Sequence, residues 1–447
     1  MEFKMFKDII IKKALSDGFD ECEVYYVEGE NLKISIYESE VDNYSLEKYK
    51  GVCFRGNINN KMGYSYSEIL DFEAINMLIK RAKENATYIE SDDIEFIYEG
   101  DKNYETLDTY NEELEDKDPQ FFIDLALELE SETKKQSDKV HNIDTCNVIY
   151  KSYKKSIYNS KGLDVTKSQN HVVAYVIPVV KENSTKVDAI GYVTTKNLDN
   201  LNIKEIAKES VKNAINKLNA KTVDSKNYKI IMKNNAMADL LETFAQVFNA
   251  DIAQKKMSLL KDKENHKIGS DILTIIDNPH LEDGISSTAF DDEGVKTYKK
   301  EIVSRGILKT LLYNLKTAKK VDKKSTGNGF KGNFKSSLQV DCTNLYIEKG
   351  ENSLQQLLEY VGEGIMITEL EGLHSGANPI SGDFSLAAKG FYIDNSKISH
   401  PIEQITVAGN FFDVLNNIEM IGYDIAFPLS NVGSPSVAIN KLSIAGK

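Results

Sequence analysis

The chain has 447 residues, 41% of them hydrophobic, and a formal charge of −14. That length exceeds one ordinary compact domain and predicts two or three. The acidic balance argues against a general nucleic-acid binder, which presents a basic face. Four scattered cysteines (Cys22, Cys53, Cys146 and Cys342) form no CxxC pair. They read as free thiols in a reducing compartment, not as a zinc ribbon or a thioredoxin-like motif. Met1 to Ala14 alternates charged and apolar residues, unlike a signal peptide. No apolar run reaches the length of about 18 residues that a membrane-spanning helix needs. A soluble cytoplasmic protein is the expectation.

Phe3 to Leu15 predicts an amphipathic helix, with Phe6, Ile9, Ile10 and Ala14 on one face and Gly18 beyond its end. Leu32-Lys33-Ile34-Ser35-Ile36 alternates apolar and polar residues, as a half-buried antiparallel strand does. Gly51 to Arg55 and Met62 to Tyr66 continue that sheet. A second helix is expected over Phe72 to Ala86, with Phe72, Ile75, Leu78, Ile79 and Ala82 inward. Residues 91–120 hold twelve acids and two lysines. They read as a solvated connecting segment, or as an acidic interaction surface, of which Ile94, Phe96, Ile97 and Tyr98 could pack. A helix resumes at Phe121, strands follow from Cys146 to Thr194 with a turn at Asn159-Ser160-Lys161-Gly162, and Ile203 to Leu218 is helical.

Gly63-Tyr64 recurs as Gly191-Tyr192, 128 residues later, each pair ahead of a helix. A duplication of about 1–90 in 121–222 and two unrelated strand–helix units both account for this. A polar stretch near Ala220 to Lys226 marks a boundary between an N-terminal α+β domain, 1–222, and a C-terminal domain, 223–447. In the latter, strands are expected at 228–232, 272–276, 365–370, 386–394, 397–407, 419–425 and 436–444. Helices are expected at 236–248, 354–361 and 411–418, and a hairpin turns at Ser304-Arg305-Gly306. The fold class is α+β: an α/β meander followed by a mainly antiparallel β domain with a few helices.

The six histidines are never three or four residues apart, so no helix offers two imidazoles to a metal. Gly327 to Gly332, with Lys319, Lys320, Lys323 and Lys324 nearby, lacks the Gly-Lys-Ser/Thr of a P-loop and reads as a flexible lysine-rich loop. The stretch from His374 to Ser385 is different. Glycines, a proline, small hydroxyls, a His and an Asp crowd twelve residues, and irregular loops on a rigid scaffold often carry function. His374 and Asp383 with Ser375 or Ser385 are residue types fit for acid–base or nucleophilic work. The same types, with Asn378 and Gly382, also suit substrate or partner contact, or plain turn structure.

Gly372 to Ile418 contains Gly-Leu-His-Ser-Gly-Ala-Asn-Pro, Ser-Gly-Asp-Phe-Ser and the run from Pro401 to Asn410. It resembles the TldD/PmbA family, also called modulator of DNA gyrase. Ser258 to Lys261, Ile272 to Ile275, Ala289 to Val295, Lys324 to Gly327 and Leu442 to Gly446 share the likeness, which runs the length of the chain. TldD subunits of that family carry His-Glu-x-x-x-His and a late Cys to hold zinc. Here Asn234, Asn235 and Asp239 stand at the matching positions, and the tail Asn431 to Pro435 lacks a Cys, Cys342 lying far upstream. The resemblance therefore implies the PmbA/TldE branch, with no metal or other cofactor in this chain and no catalytic residue of its own. It implies a TldD-type partner that holds zinc, unfolded peptides as substrate, and a groove wall or partner contact at His374, Ser375, Asn378, Gly382, Asp383 and Ser385. A homodimer, a self-sufficient hydrolase built on His374 and Asp383, and a non-enzymatic binding scaffold are the other readings. Neither nucleic acid nor membrane is expected as a partner.

Overall fold

Alternation along the N-terminal strands sets the whole arrangement. The computed structural model describes residues 1–88 and 93–447. Its N-terminal half runs α1 (Phe3–Ser16), β1 (Glu21–Tyr37), β2 (Glu40–Ile58), β3 (Lys61–Ser67), α2 (Phe72–Tyr88), α3 (Glu112–Glu115), α4 (Pro119–Lys135), β4 (Val140–Asn159), β5 (Asp164–Glu182), β6 (Thr185–Asp188), β7 (Gly191–Thr195) and α5 (Ile203–Asn216). One antiparallel sheet in the order β3-β2-β1-β4-β5-β6, with β7 also on β5, holds all these strands. Even-numbered residues of β1 face the helices. Val24 and Tyr26 pack with α1 and α2, while Leu32, Ile34 and Ile36 pack with α4. The odd face is also used: Tyr25, Val27 and Cys53 meet Phe290 and Phe334 of the C-terminal half. Where both faces are covered β1 is buried without a break, Cys22 to Val27, and where only the helices cover it burial alternates, as at Leu32, Ile34 and Ile36.

Turn chemistry agrees. Asn59 and Asn60 both hold positive φ, 54° and 62°, the geometry of a tight two-residue hairpin turn. Gly63 and Gly191 are needed for close approach: a Cβ at Gly63 would collide with the carbonyl of Ala82 in α2, and one at Gly191 with that of Ile206 in α5. Helix 2 corrects one expectation. Phe72 opens it and is 62% exposed, and Leu70, two residues earlier, is buried in its place. The first turn of a helix lies at its periphery, where periodicity alone misplaces a side chain. In α1, Ile11 is buried beside Phe6, Ile10 and Ala14, and Ile9 is only partly so.

The acidic segment is more than a solvated connector. Its residues 91 and 92 lie outside the described residues. Beyond them Ile97 and Leu114 are fully buried, and the Tyr104 hydroxyl donates to the Gly294 carbonyl at 2.6 Å. Ile94, by contrast, is exposed.

In the C-terminal half β8 (Lys226–Met232) leads into α6 (Asn234–Phe244). β8 pairs with Gly364–Glu371 in parallel and with Val437–Ala445 antiparallel. Asp383–Asp394 and Lys397–Asn410 continue the sheet, and the latter pairs back onto Val437–Ala445, closing five strands into a ring. Phe244 fills the core, stacked on Phe411 at 4.6 Å. A second sheet holds Ile275–Asp277, Lys300–Ser304, Ile307–Leu308, Leu345–Ile347 and Val432–Gly433. The glycine-rich stretch at 327–332 is not a flexible loop. Asn328 is fully buried and donates to Asp277, and Gly329 pairs with Val340.

Asp292 joins the two halves. It has no solvent exposure, accepts from Lys155 at 3.1 Å, and lies 3.4 Å from Lys167. The Lys331 N–H at 3.0 Å and the Tyr25 hydroxyl at 3.4 Å complete its shell. Burial opposes its charge, but the two lysines outweigh it and hold the carboxyl at about 2. Asp292→Ala, which leaves two partly buried ammonium groups without their carboxylate, is expected to cost about 3 kcal/mol. Phe72→Ala should stay within about 0.5 kcal/mol of the wild type. Urea unfolding of the three proteins checks both.

Candidate functional site

The end of β8 and the start of α6 form a polar knot. Lys233 is still extended, and Asn234 begins the helix. Lys233 pairs with Asp424 at 2.8 Å. The Ser436 hydroxyl and N–H donate to the same carboxylate at 2.7 and 2.9 Å. Burial works against the Asp424 charge, but Lys233 and Ser436 prevail and hold the carboxyl below the usual range. Asn234 is used at both ends: its Nδ2 donates to the Asp424 carbonyl at 2.8 Å and its Oδ1 accepts from the Asn235 N–H at 2.9 Å. Asn235 Oδ1 accepts from the Tyr192 hydroxyl at 3.1 Å. Burial, then the nearby Asp239, pushes the Tyr192 phenol up to about 12.

Lys233, Asn234, Asn235 and Tyr192 line a cavity of about 960 Å³ between the N-terminal sheet and the closed ring. Asp188, Tyr192 and Glu209 come from the former side, and Asn234, Asn235 and Asp239 from α6. Glu369 and His400 come from two strands of the ring. Lys217 bridges to Glu369 across the seam. Asp239 has its carboxyl pushed up to about 6 by burial, reinforced by Glu242 and Glu369. The surface thus offers amides, a phenol and carboxyl groups, suited to hydrogen-bonding a polar chain and to meeting positive charge. The family resemblance pointed to Asn234, Asn235 and Asp239, while Lys233, Asp424, Ser436 and His400 were missed. Asp424 and Ser436 lie about two hundred residues from Lys233, and no local pattern marks them. Tyr192 did carry a signal, since it belongs to the repeated Gly-Tyr pair.

None of His374, Ser375, Asn378, Gly382, Asp383 or Ser385 lines this cavity. His374, Ser375, Asn378, Asp383 and Ser385 are exposed, while Gly382 is buried at φ 82° against Asn410 and Phe412. The stretch satisfies itself: Asn378 Oδ1 accepts from Ile380 N–H at 3.0 Å, and Asn410 Nδ2 donates to Asp383 at 3.0 Å. Among the described residues no hydrogen bond or ion pair joins His374 to Asp383, Ser375 or Ser385. The structure therefore brings the α6 residues together but assembles no relay from the loop. A second cleft of about 900 Å³ lies elsewhere, and most of its charges are paired off, as in Lys316 with Asp93 and Glu95 and Lys255 with Asp251.

Comparison with known proteins places the chain. The PmbA/TldA metallopeptidase C-terminal domain matches residues 225–446, domain 1 matches 22–86 and the central domain matches 112–218. A Thermotoga maritima crystal structure described as a modulator of a DNA gyrase is 32% identical, with TM-score 0.93, covering 99% of this chain and 100% of that one. The chain belongs to the PmbA/TldD family. Metalloprotease PmbA of Escherichia coli O157:H7 is 27% identical over 433 residues, 96% of this chain and 93% of that protein. The PmbA homolog of Buchnera aphidicola subsp. Baizongia pistaciae is 30% identical over 269 residues, and the match spans 60% of this chain and 57% of that protein. TldE of Thermococcus kodakarensis, 21% identical, shares the fold at TM-score 0.90 over 99% of this chain and 100% of that one.

The α6 residues do not fit a metal. Asn234 has both side-chain atoms engaged, the Asn235 oxygen is taken by Tyr192, and neutral amides are poor ligands beside a single carboxylate. Cys342 approaches the tail, 3.7 Å from Asn431, but does not line the cavity. Among the described residues no group of three or more His, Cys, Asp or Glu could hold a metal ion. No helix among them is long and apolar enough to cross a membrane.

Asp239 gives a pH signature. Its folded pKa, about 6, lies above the ordinary 3.8, so the native state binds the proton more tightly than the unfolded chain. Its contribution is favourable at low pH and is lost as pH rises from about 4 through 6. Asp239→Asn should flatten that decline and leave the protein roughly 1–2 kcal/mol more stable than wild type at pH 7.5. Denaturation at a series of pH values checks it.

Proposed function

We propose that this chain is the non-catalytic subunit of a cytoplasmic TldD–TldE-type peptidase that trims or degrades unfolded peptides. A TldD-type partner supplies the zinc and the cutting step. The observation that carries this reading is the state of α6. Where the TldD pattern asks for two histidines and a glutamate, this family member has two amides tied into its own framework and one carboxyl. A zinc metalloprotease TldD homolog of Saccharolobus solfataricus, 26% identical over 312 residues, supports the pairing of the two kinds of chain. The cavity beside α6 then acts as part of the peptide groove, holding an extended chain by its backbone and favouring basic side chains near Asp239 and Glu209. We assign the exposed residues of His374–Ser385 to partner contact. We further read 1–222 and 223–447 as two domains, the first made of two copies of one strand–helix unit. The matching roles of Gly63 and Gly191 support the duplication.

Purification of this chain, alone and with a TldD-type subunit, tests the reading. The chain alone should hold no stoichiometric metal and cut no unfolded peptide, and the mixture should cut it. Lys233→Met or Asp239→Lys, which disturb the cavity, should weaken peptide turnover by the mixture about tenfold or more. Peptidase activity of the isolated chain, abolished by His374→Ala, would refute the proposal in favour of a hydrolase built on the loop.

A further inference from the structure

The second cleft, of about 900 Å³, contains a buried cation that its own surroundings do not satisfy. Arg55 of β2 lies in register between Glu23 of β1 and Tyr64 of β3. Two residues from Cys53, it shares the sheet face that meets the C-terminal half. Arg55 is 3% exposed and lines the cleft. Its Nε donates to Glu23 at 2.7 Å, its one hydrogen bond among the described residues. The other Glu23 oxygen is taken by Asn159 at 3.3 Å. Nη2 of Arg55 is buried with no partner. A guanidinium carries five N–H donors in a planar fork, and leaving them buried without acceptors is costly.

The walls have the same sign as this unmet group. Six cationic side chains line the cleft against four acidic ones, in a chain whose formal charge is −14. One of the four, Glu293, is buried, and burial, then Asp291, pushes its carboxyl up to about 8, so it adds little negative charge at neutral pH. The α6 cavity is the reverse, with four acidic side chains against two lysines. The chain's own acidic segment shows what the basic walls accept. The Asp93 carboxylate rests on Lys316 and Lys320, each at 2.8 Å, and Glu95 meets Lys316 at 3.3 Å. These contacts occupy two lysines and leave the Arg55 fork unmet. Arg81 is exposed on α2, lines the cleft, and stays outside the helix's own ion pair of Lys80 with Glu84. Ser337 and Gln339, also exposed on the lining, offer hydrogen bonds to a peptide backbone.

We propose that this cleft binds a short acidic peptide, with one carboxylate seated on the Arg55 fork and another drawn to Arg81. A planar fork takes a carboxylate through two parallel N–H bonds, which an ammonium cannot do. The cleft has the volume of a site for a small ligand. It shares no lining residue with the α6 cavity, so the proposal does not rest on the peptidase reading, and binding to this chain alone tests it.

The experiment is isothermal titration of the full chain with tri-glutamate. Saturable binding is expected, with a dissociation constant below about 100 µM at low salt. Tri-glutamine with an amidated C-terminus should bind about tenfold more weakly or worse. Arg55→Lys keeps a cation beside Glu23 but loses the fork, and should weaken tri-glutamate binding about tenfold. Arg81→Glu, a surface change, should weaken it about threefold or more and leave the melting temperature unchanged. Absence of saturable binding, equal affinity for tri-glutamine, or full affinity in Arg55→Lys would each overturn the proposal, the fork then being met by water. Displacement of tri-glutamate by an equal concentration of inorganic phosphate would also overturn it, marking a general anion site. Should Arg55→Lys fail to fold, Arg81→Glu decides alone, and undiminished binding by that variant sinks the proposal.

Discussion

A carboxylate sealed from water, held by two lysines from a neighbouring sheet, is the constraint on which this molecule depends. Asp292 belongs to the C-terminal half, while Lys155 and Lys167 belong to β4 and β5. Taking such charges out of water is costly, and their attraction offsets that cost only when the geometry and the remaining hydrogen bonds are good. Here a backbone N–H and a tyrosine hydroxyl complete the shell. Burial pulls Lys167 down to about 8 even so, which shows how fine the balance is. An apolar seam could slide. A buried ion with four partners admits one relative position of the two halves, and the cavity beside α6 takes its width from that position.

The same half contains a second saturated carboxylate. Asp277, fully buried, meets Lys300 at 3.0 Å, Asn328 at 2.9 Å, and the N–H and hydroxyl of Thr343 at 2.6 and 2.7 Å. It ties the glycine-rich stretch to the small sheet. This explains why that stretch, with lysines around it, is packed and not free. Glycine there serves close approach, as at Gly329, where a Cβ would press on the Glu293 carboxylate.

The fold was legible wherever burial follows a short period. The alternation at Leu32–Ile36 found β1, and the spacing of Leu354–Val361 found its helix to the residue. Asn410 caps the helix at Phe411, its side-chain oxygen accepting from the Phe412 N–H. What failed depended on distant partners. Phe72 fell on the right helical face but at a helix end, outside the core. The strand expected from Ile272 begins only at Ile275, because its pairing is set by Leu345–Ile347, some seventy residues on. At the site, Asn234, Asn235 and Asp239 were reached through the family resemblance, which matches them to a motif. Their engagement by Asp424 and Tyr192 could not be read that way, since those contacts arise from closing the ring and docking the sheet. For the loop at His374 the residues alone left catalysis, contact and plain turn structure open, because turn-forming residues and chemically active residues are the same types.

The Tyr192–Asn235 hydrogen bond has a further consequence. One of its ends lies on β7 and the other on α6, so the cavity wall is itself a seam between the halves. Any ligand that prefers one separation of those walls is thermodynamically linked to the lysine–aspartate lock at the distant end of the same seam. Tightening or loosening that lock would then register as altered ligand affinity, although no residue of the lock touches the ligand. Remote changes along the seam should accordingly be read as shifts in an equilibrium between wall separations, and not as damage to the binding surface.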